Sequence, residues 1–90
     1  MKIFITGSAG FIGFSLSKYL LDNNHTVHGY DGLTNYYDIN LKKSRNKILK
    51  RHNKFYFIKG MLENKNLLKK AISSFKPQII IHLAAQAGVR

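Results

Sequence analysis

Three glycines at a strict spacing of three, Gly7, Gly10 and Gly13 in Thr6-Gly7-Ser8-Ala9-Gly10-Phe11-Ile12-Gly13, are the first residues in this chain whose arrangement could do chemistry. Gly7 permits a tight turn, Gly10 lets a phosphate group come close to the backbone with no Cβ in the way, and Gly13 lets a helix pack closely on a sheet. Such a turn presents free N–H groups and the positive end of a helix, which together attract a diphosphate. The spacing alone is weak. It becomes strong only where a strand precedes it and a helix follows. A second candidate is Asp31, placed where a dinucleotide-binding unit has an acidic residue whose carboxylate accepts hydrogen bonds from adenosine ribose hydroxyls. That carboxylate repels a phosphate on the 2′-oxygen, so NAD is expected over NADP. Lys42, Lys43 and Arg45 follow within the next stretch and could compensate it. A ligand-free turn at the glycines, or a plain turn-initiating Asp before Gly32, is the alternative at each place.

The elements needed to position these residues can be read from periodicity. Ile3–Thr6 reads as a strand and Phe11–Asn23 as a helix carrying Ile12, Leu16, Tyr19 and Leu20 on one face. Thr26–Asp31 is a second strand, and Gly32 to Asp38 is a polar loop. Ile39–Arg51 reads as a weaker helix with Leu41, Ile48 and Leu49 on one side. Phe55–Lys59 is a third strand, and Asn64–Phe75 a clear amphipathic helix on Leu67, Leu68, Ala71, Ile72 and Phe75. Lys76-Pro77 breaks it. Gln78–Leu83, with Ile79-Ile80-Ile81, is a fourth strand whose consecutive apolar residues predict burial on both faces. Alternating strands and helices predict an α/β fold: a Rossmann-type parallel sheet with helices on both faces, incomplete because only strands one to four are present. The whole of residues 1–90 is expected to be the N-terminal part of one such domain. Its fourth strand would then stand as an uncovered apolar edge.

Composition bounds the function classes. The chain has 90 residues, 44% of them hydrophobic, with six Phe and five Tyr, which excludes a disordered chain. With no cysteine, a disulfide scaffold and thiolate chemistry are excluded. No apolar run reaches the roughly 18–20 residues that span a bilayer, and Met1–Gly7 is too short an apolar stretch for a signal peptide. A cytoplasmic protein without a membrane partner is expected. Net charge is +11, from 15 Lys and Arg against 4 Asp and Glu, which raises nucleic acid as a partner. The densest segment is Lys42–Lys54. It lacks the aromatic interleaving of an RNA- or DNA-binding module, and the richness in Lys, Asn and Ile is what AT-rich coding produces by itself. A solvated helix face is the preferred reading. Among the histidines, His25 and His28 have no metal-ligand spacing, and His82, inside the fourth strand, reads as a packed core residue. No metal site is expected.

The glycine loop resembles that of the extended short-chain dehydrogenase/reductases, the NAD-dependent epimerase/dehydratases of nucleotide sugars. Asp31-Gly32-Leu33-Thr34-Asn35-Tyr36-Tyr37-Asp38, with Leu41-Lys42 and Arg45, is similar to a segment of the UDP-glucuronate 4-epimerases. His82-Leu83-Ala84-Ala85-Gln86-Ala87-Gly88-Val89-Arg90 is similar to the end of the fourth strand and its following loop in the same enzymes. The resemblance implies NAD as cofactor, with Gly7, Gly10, Phe11, Ile12 and Gly13 at the pyrophosphate and Asp31 at the adenosine ribose. It places Leu62 at the adenine, and Leu83, Ala84 and Ala85 beneath the nicotinamide ribose. Gln86 and Arg90 are placed near a UDP-sugar. One departure stands out: the family has an Asp after Gly60 on the adenine amino group, and this chain has Met61, a loss of about 1 kcal/mol of binding.

The resemblance also implies a reaction: NAD takes the sugar C4 hydride while a Tyr, paired with a Lys four residues later, takes the hydroxyl proton. Hydride return on the other face then inverts the centre. No catalytic residue is assigned here. Tyr19, Tyr30, Tyr36, Tyr37 and Tyr56 are followed four residues on by Asn23, Thr34, Asn40, Leu41 and Gly60. The expectation is an N-terminal NAD-binding portion of a nucleotide-sugar epimerase, of the UDP-glucuronate 4-epimerase kind. The Tyr-x-x-x-Lys helix would lie beyond residue 90, and the full enzyme would form a homodimer. The alternative is a non-catalytic remnant or a basic nucleic-acid-binding module.

Overall fold

The computed structural model describes residues 1–34 and 39–84. Its elements run β1 (Lys2–Thr6), α1 (Phe11–Asp22), β2 (Thr26–Asp31), α2 (Ile39–Leu49), β3 (Phe55–Lys59), α3 (Lys65–Phe75) and β4 (Ile79–His82). The four strands form one sheet in the order β3-β2-β1-β4. Every pairing is parallel, with Ile3 opposite both Val27 and Ile79, and Val27 opposite Phe55. Parallel neighbours need crossover connections, and each helix supplies one.

Alternation along the strands sorts the core into two layers. Ile3, Ile5, Val27 and Phe55 face α1 and α2, where Leu21 and Leu49 close over them. Phe4 and Tyr30 face the other way, against Ala71 and Phe75 of α3, with Leu67, Leu68 and Ile72 around them. His28 lies on this second face, stacked on Phe4 at 4.9 Å between ring centroids and edge-on to Phe75 at 5.1 Å. Burial lowers its pKa, because an imidazolium there would lose hydration.

The predicted elements are all present, with ends one or two residues shorter for most, and the parallel sheet covered on both faces is as expected. The ends have local causes. Asn23 caps α1 through bonds to the carbonyls of Tyr19 and Leu20, and Asn24 takes a left-handed φ of 68°. The Asn64 side chain accepts from Leu67 N–H at 3.2 Å and opens α3, while Lys76, at φ 53°, ends it.

Four expectations are corrected. On α1 Leu16 and Leu20 pack partly against the core as expected, but the buried line is Gly13, Ser17 and Leu21, and Ile12 and Tyr19 face outward. The missing Cβ of Gly13 lets the helix approach the glycine turn, which selects the face with small residues over the one with larger apolar ones. On α2, Leu49 is buried but Leu41 is exposed, while the polar Asn46 is buried. On β4, burial on both faces fails: Ile79 is 41% and Ile80 51% exposed. Among the described residues β4 is the edge strand of the sheet, so it stands as the uncovered apolar edge also expected. His82 is exposed at its end and is not a core histidine.

Candidate functional site

The C-terminal ends of β1, β2 and β4 meet at one end of the sheet, and the glycine loop crosses them. Gly7 turns out of β1 with φ 76°, a left-handed conformation that favours glycine. A Cβ there would also lie 2.7 Å from the Ala84 backbone nitrogen. The turn is tied down by Gly7 N–H donating to the Tyr30 carbonyl (2.8 Å) and Gly10 N–H donating to the Gly7 carbonyl (3.1 Å). At Gly13 a Cβ would collide with the Gly7 carbonyl oxygen, so only glycine allows α1 to sit this close. At Gly10 a Cβ would meet, among the described residues, nothing but that carbonyl, at 3.3 Å, so its outer side is open there. Gly10 is the N-cap of α1, with no side chain capping the helix and no acidic residue in its first turn. Phe11 and Ile12, the first residues of that turn, are 74% and 66% exposed. The loop thus presents an uncapped helix start beside an open glycine, the surroundings that suit an anionic diphosphate.

Asp31 sits directly under this loop. Its carboxylate is buried, with Oδ2 accepting from Ala9 N–H at 2.9 Å and Oδ1 from Leu33 N–H at 2.7 Å. The first bond links the end of β2 to the middle of the glycine turn. It therefore holds the expected ribose acceptor and the expected phosphate loop in one rigid unit. Gly29, one of the residues leading to Asp31, leaves room for Ser8; a Cβ there would strike the Ser8 hydroxyl.

The far wall is built around Tyr30, whose hydroxyl donates to the Met61 carbonyl at 2.8 Å and whose pKa burial raises. Its ring fills the space that a Cβ on Gly60 would need. Met61 packs with its sulfur against Gly32, in the turn where the resemblance expects an Asp, and Leu62 beside it is half-buried. Across the sheet, the Thr6 hydroxyl oxygen accepts from the N–H groups of Leu83 and Ala84 at 3.1 and 3.2 Å. It also lies 2.7 Å from His82 Nδ1, within hydrogen-bond distance. Thr6 thereby fixes the start of the segment after β4 alongside Gly7.

The structure therefore brings together Gly7, Gly10, Phe11, Ile12, Gly13 and Asp31, with Leu83 and Ala84 next to Gly7 and Leu62 in the turn after β3. Ala85, Gln86 and Arg90 lie outside the described residues, as do Tyr36, Tyr37 and Asp38. Sequence reasoning missed Thr6 and Ser8. Both are small hydroxyl residues flanking the first glycine, and that position is the one signal that could have marked them. Among the described residues, no helix is long and apolar enough to cross a membrane.

The family model of GDP-mannose 4,6 dehydratase matches residues 4–90. A probable UDP-glucuronate 4-epimerase of Rhizobium meliloti is 52% identical over 90 residues, covering all of this chain and 26% of the relative. Protein CapI of Staphylococcus aureus is 47% identical, covering all of this chain and 27% of the relative. Among solved structures, the UDP-glucuronic acid 4-epimerase of Bacillus cereus, in complex with UDP-glucuronic acid and NAD, superposes with a TM-score of 0.85 at 36% identity, covering all of this chain and 28% of that one. A dTDP-glucose 4,6-dehydratase of Bacillus anthracis in complex with NAD gives a TM-score of 0.78 at 34% identity, covering 97% of this chain and 27% of that one. The chain spans about a quarter of the length of the relatives it matches. By the family model that matches residues 4–90 and by its likeness in sequence and fold to these enzymes, the chain belongs to the GDP-mannose 4,6 dehydratase family, within the NAD-dependent epimerases and dehydratases.

Proposed function

We propose that this chain supplies the adenosine and diphosphate half of an NAD site in a UDP-sugar epimerase, of the UDP-glucuronate 4-epimerase kind. The observation that carries the reading is the bond from Ala9 N–H to Asp31 Oδ2, which joins the phosphate loop and the ribose acceptor in one unit. The residues present fit the cofactor: Gly10 leaves its outer side open, and the first turn of α1 has no side-chain cap. In this role the Phe11, Ile12 and Gly13 amides and Gly10 would receive the diphosphate, and Asp31 the ribose hydroxyls. Leu62 would border the adenine, with Leu83, Ala84 and Ala85 beneath the nicotinamide ribose and Gln86 and Arg90 near the UDP-sugar. When bound, NAD supplies a hydride acceptor and donor for the sugar C4. The part played by these residues is to bind and orient; the proton transfer belongs to a Tyr/Lys pair that no tyrosine of this chain provides.

In this reading the full enzyme works in the cytoplasm as a homodimer on a UDP-sugar, with no nucleic-acid partner. The test is calorimetric titration with NAD of the wild type and of Asp31→Ala. Binding weakened about tenfold or more in the variant is expected, the equivalent of one or two charge-assisted hydrogen bonds. Equal binding by both proteins removes the ribose assignment. Tight, steeply salt-dependent binding of an oligonucleotide, with no binding of NAD, favours the basic module instead.

A further inference from the structure

The expected rejection of a 2′-phosphate rests on Asp31 acting as an uncompensated carboxylate, and in the structure it is not one. Besides Ala9 and Leu33 N–H, its Oδ1 has Lys42 Nζ at 3.3 Å. The Lys42 side chain is 20% and the Asp31 side chain 3% exposed, so this pair is screened far less than a surface ion pair. Lys42 reaches the site from the first turn of α2. One turn on, Arg45 donates to the Ala9 carbonyl at 3.2 Å, and its guanidinium lies 5.9 Å from the Phe11 ring centroid. Of the three cations that follow Asp31 closely in sequence, one therefore sits on the carboxylate and one on the loop. Lys43 is exposed on α2. The negative charge that would repel a phosphate on the ribose is offset before any nucleotide arrives.

We propose that Lys42 is a specificity-determining residue of the ribose pocket: paired with Asp31, it makes the pocket tolerate a 2′-phosphate that Asp31 alone would reject. The inference rests on the nucleotide site proposed above. It predicts that selectivity between NAD and NADP is set by α2 as much as by the end of β2. Removing the ammonium leaves a buried carboxylate facing the 2′-position, and a lone charge at a few ångströms in a half-buried site changes affinity by roughly tenfold or more.

The probes are adenosine 5′-monophosphate and adenosine 2′,5′-bisphosphate, which differ by the 2′-phosphate alone and need only the half-site described here. Their dissociation constants are measured by amide chemical-shift titration of the wild type, Lys42→Gln, Lys42→Arg and Lys43→Gln. The wild type is expected to bind the two within about tenfold of each other. Lys42→Gln is expected to lose roughly tenfold or more in affinity for the bisphosphate relative to the monophosphate, while Lys42→Arg keeps the wild-type ratio. Lys43→Gln removes the same charge from a chain of net +11 and is expected to move the ratio by less than about threefold, as a distant, solvated charge does. Equal shifts in Lys42→Gln and Lys43→Gln overturn the proposal, as does a wild type that rejects the bisphosphate by about a hundredfold. Should Lys42→Gln lose its dispersed amide spectrum, the Lys42→Arg and wild-type ratios still decide, since a hundredfold rejection in either sinks the idea. Monophosphate binding with an unmoved ratio removes only this inference. Failure of the wild type to bind either probe removes the nucleotide site itself, and this inference with it.

Discussion

The two flanks of β1 begin from similar material and end differently. On one side β2 pairs with it along Lys2–Thr6, and Phe4, Ile5, Val27 and Tyr30 are sealed between helices on both faces. On the other, β4 pairs with it in the same parallel register but leaves Ile79 and Ile80 open. Ile81, one residue on, packs against the core under α1. The difference is one of coverage. α3 packs over Phe4 and Tyr30, and Ile80, which shares that face, is left exposed. An apolar run encodes the capacity to be buried, and its neighbours decide whether it is. The candidate site follows the same division. Its best-determined parts, the glycine turn and Asp31, lie on the sealed flank, where the Ala9–Asp31 bond and the Ser8–Gly29 contact leave little freedom.

The largest expected effect is at the centre of the sealed flank. Phe4 is fully buried and touches His28, Tyr30 and Phe75. Phe4→Ala is expected to cost about 3–5 kcal/mol, through lost transfer energy and the cavity left behind. Urea denaturation followed by circular dichroism measures it, and a loss below about 1 kcal/mol would show that this flank is no better packed than the other. Next is Gly13→Ala, whose Cβ would press on the Gly7 carbonyl. About 1–3 kcal/mol of destabilisation is expected from the forced backbone shift. The amide resonances of the glycine turn should move more than those of α3.

How much of this was legible in the sequence depends on what each residue contributes. α3 was read correctly because Leu67, Leu68, Ala71, Ile72 and Phe75 announce their face by hydrophobicity, and a helix packed on a sheet buries that face. α1 was legible only in part: Leu16 and Leu20 pack on the core, but the line of closest contact includes Gly13 and Ser17, which work by being small, and smallness carries no hydrophobic signal. The turn at Gly7, Gly10 and Gly13 and the place of Asp31 at the end of β2 were legible because residue type and spacing mark them. The pairing of Lys42 with Asp31 was not. It depends on how α2 folds back across the end of the sheet, and three nearby cations were equal on paper. His82 was misread for the reason β4 was: the strand looked central and proved to be an edge.

A pH effect separates the flanks further. His28 is buried between Phe4 and Phe75, and its pKa is lowered from 6.5 by the loss of hydration. Above the unfolded value of 6.5 both states hold the neutral ring, and there is no penalty. As pH falls below it, the unfolded chain takes up a proton that the folded one refuses, so stability declines until the lowered folded pKa is passed. The denaturation midpoint should therefore drop between pH 7 and pH 5. His28→Phe should remove most of that slope, whereas His82→Gln, on the exposed edge, should retain it. An unchanged slope in His28→Phe would move the acid sensitivity elsewhere.

The smallest expected effect is on the open flank, and it sharpens the comparison most. Ile80 shares β4 with two other isoleucines but is more than half exposed, so its removal leaves no cavity and strands no polar partner. Ile80→Lys should change stability by no more than about 0.5 kcal/mol, the range for surface substitutions away from buried features. A charge at an exposed strand edge also obstructs pairing with another chain, and residues 77–89 of this otherwise basic chain contain no charged side chain. Sedimentation at rising concentration should show less self-association for the variant than for the wild type, with the two equally stable to urea. A loss of 2 kcal/mol or more, dependent on protein concentration, would mean that in solution a second copy covers β4. The flanks would then differ in what covers them, and the open edge would be an interface.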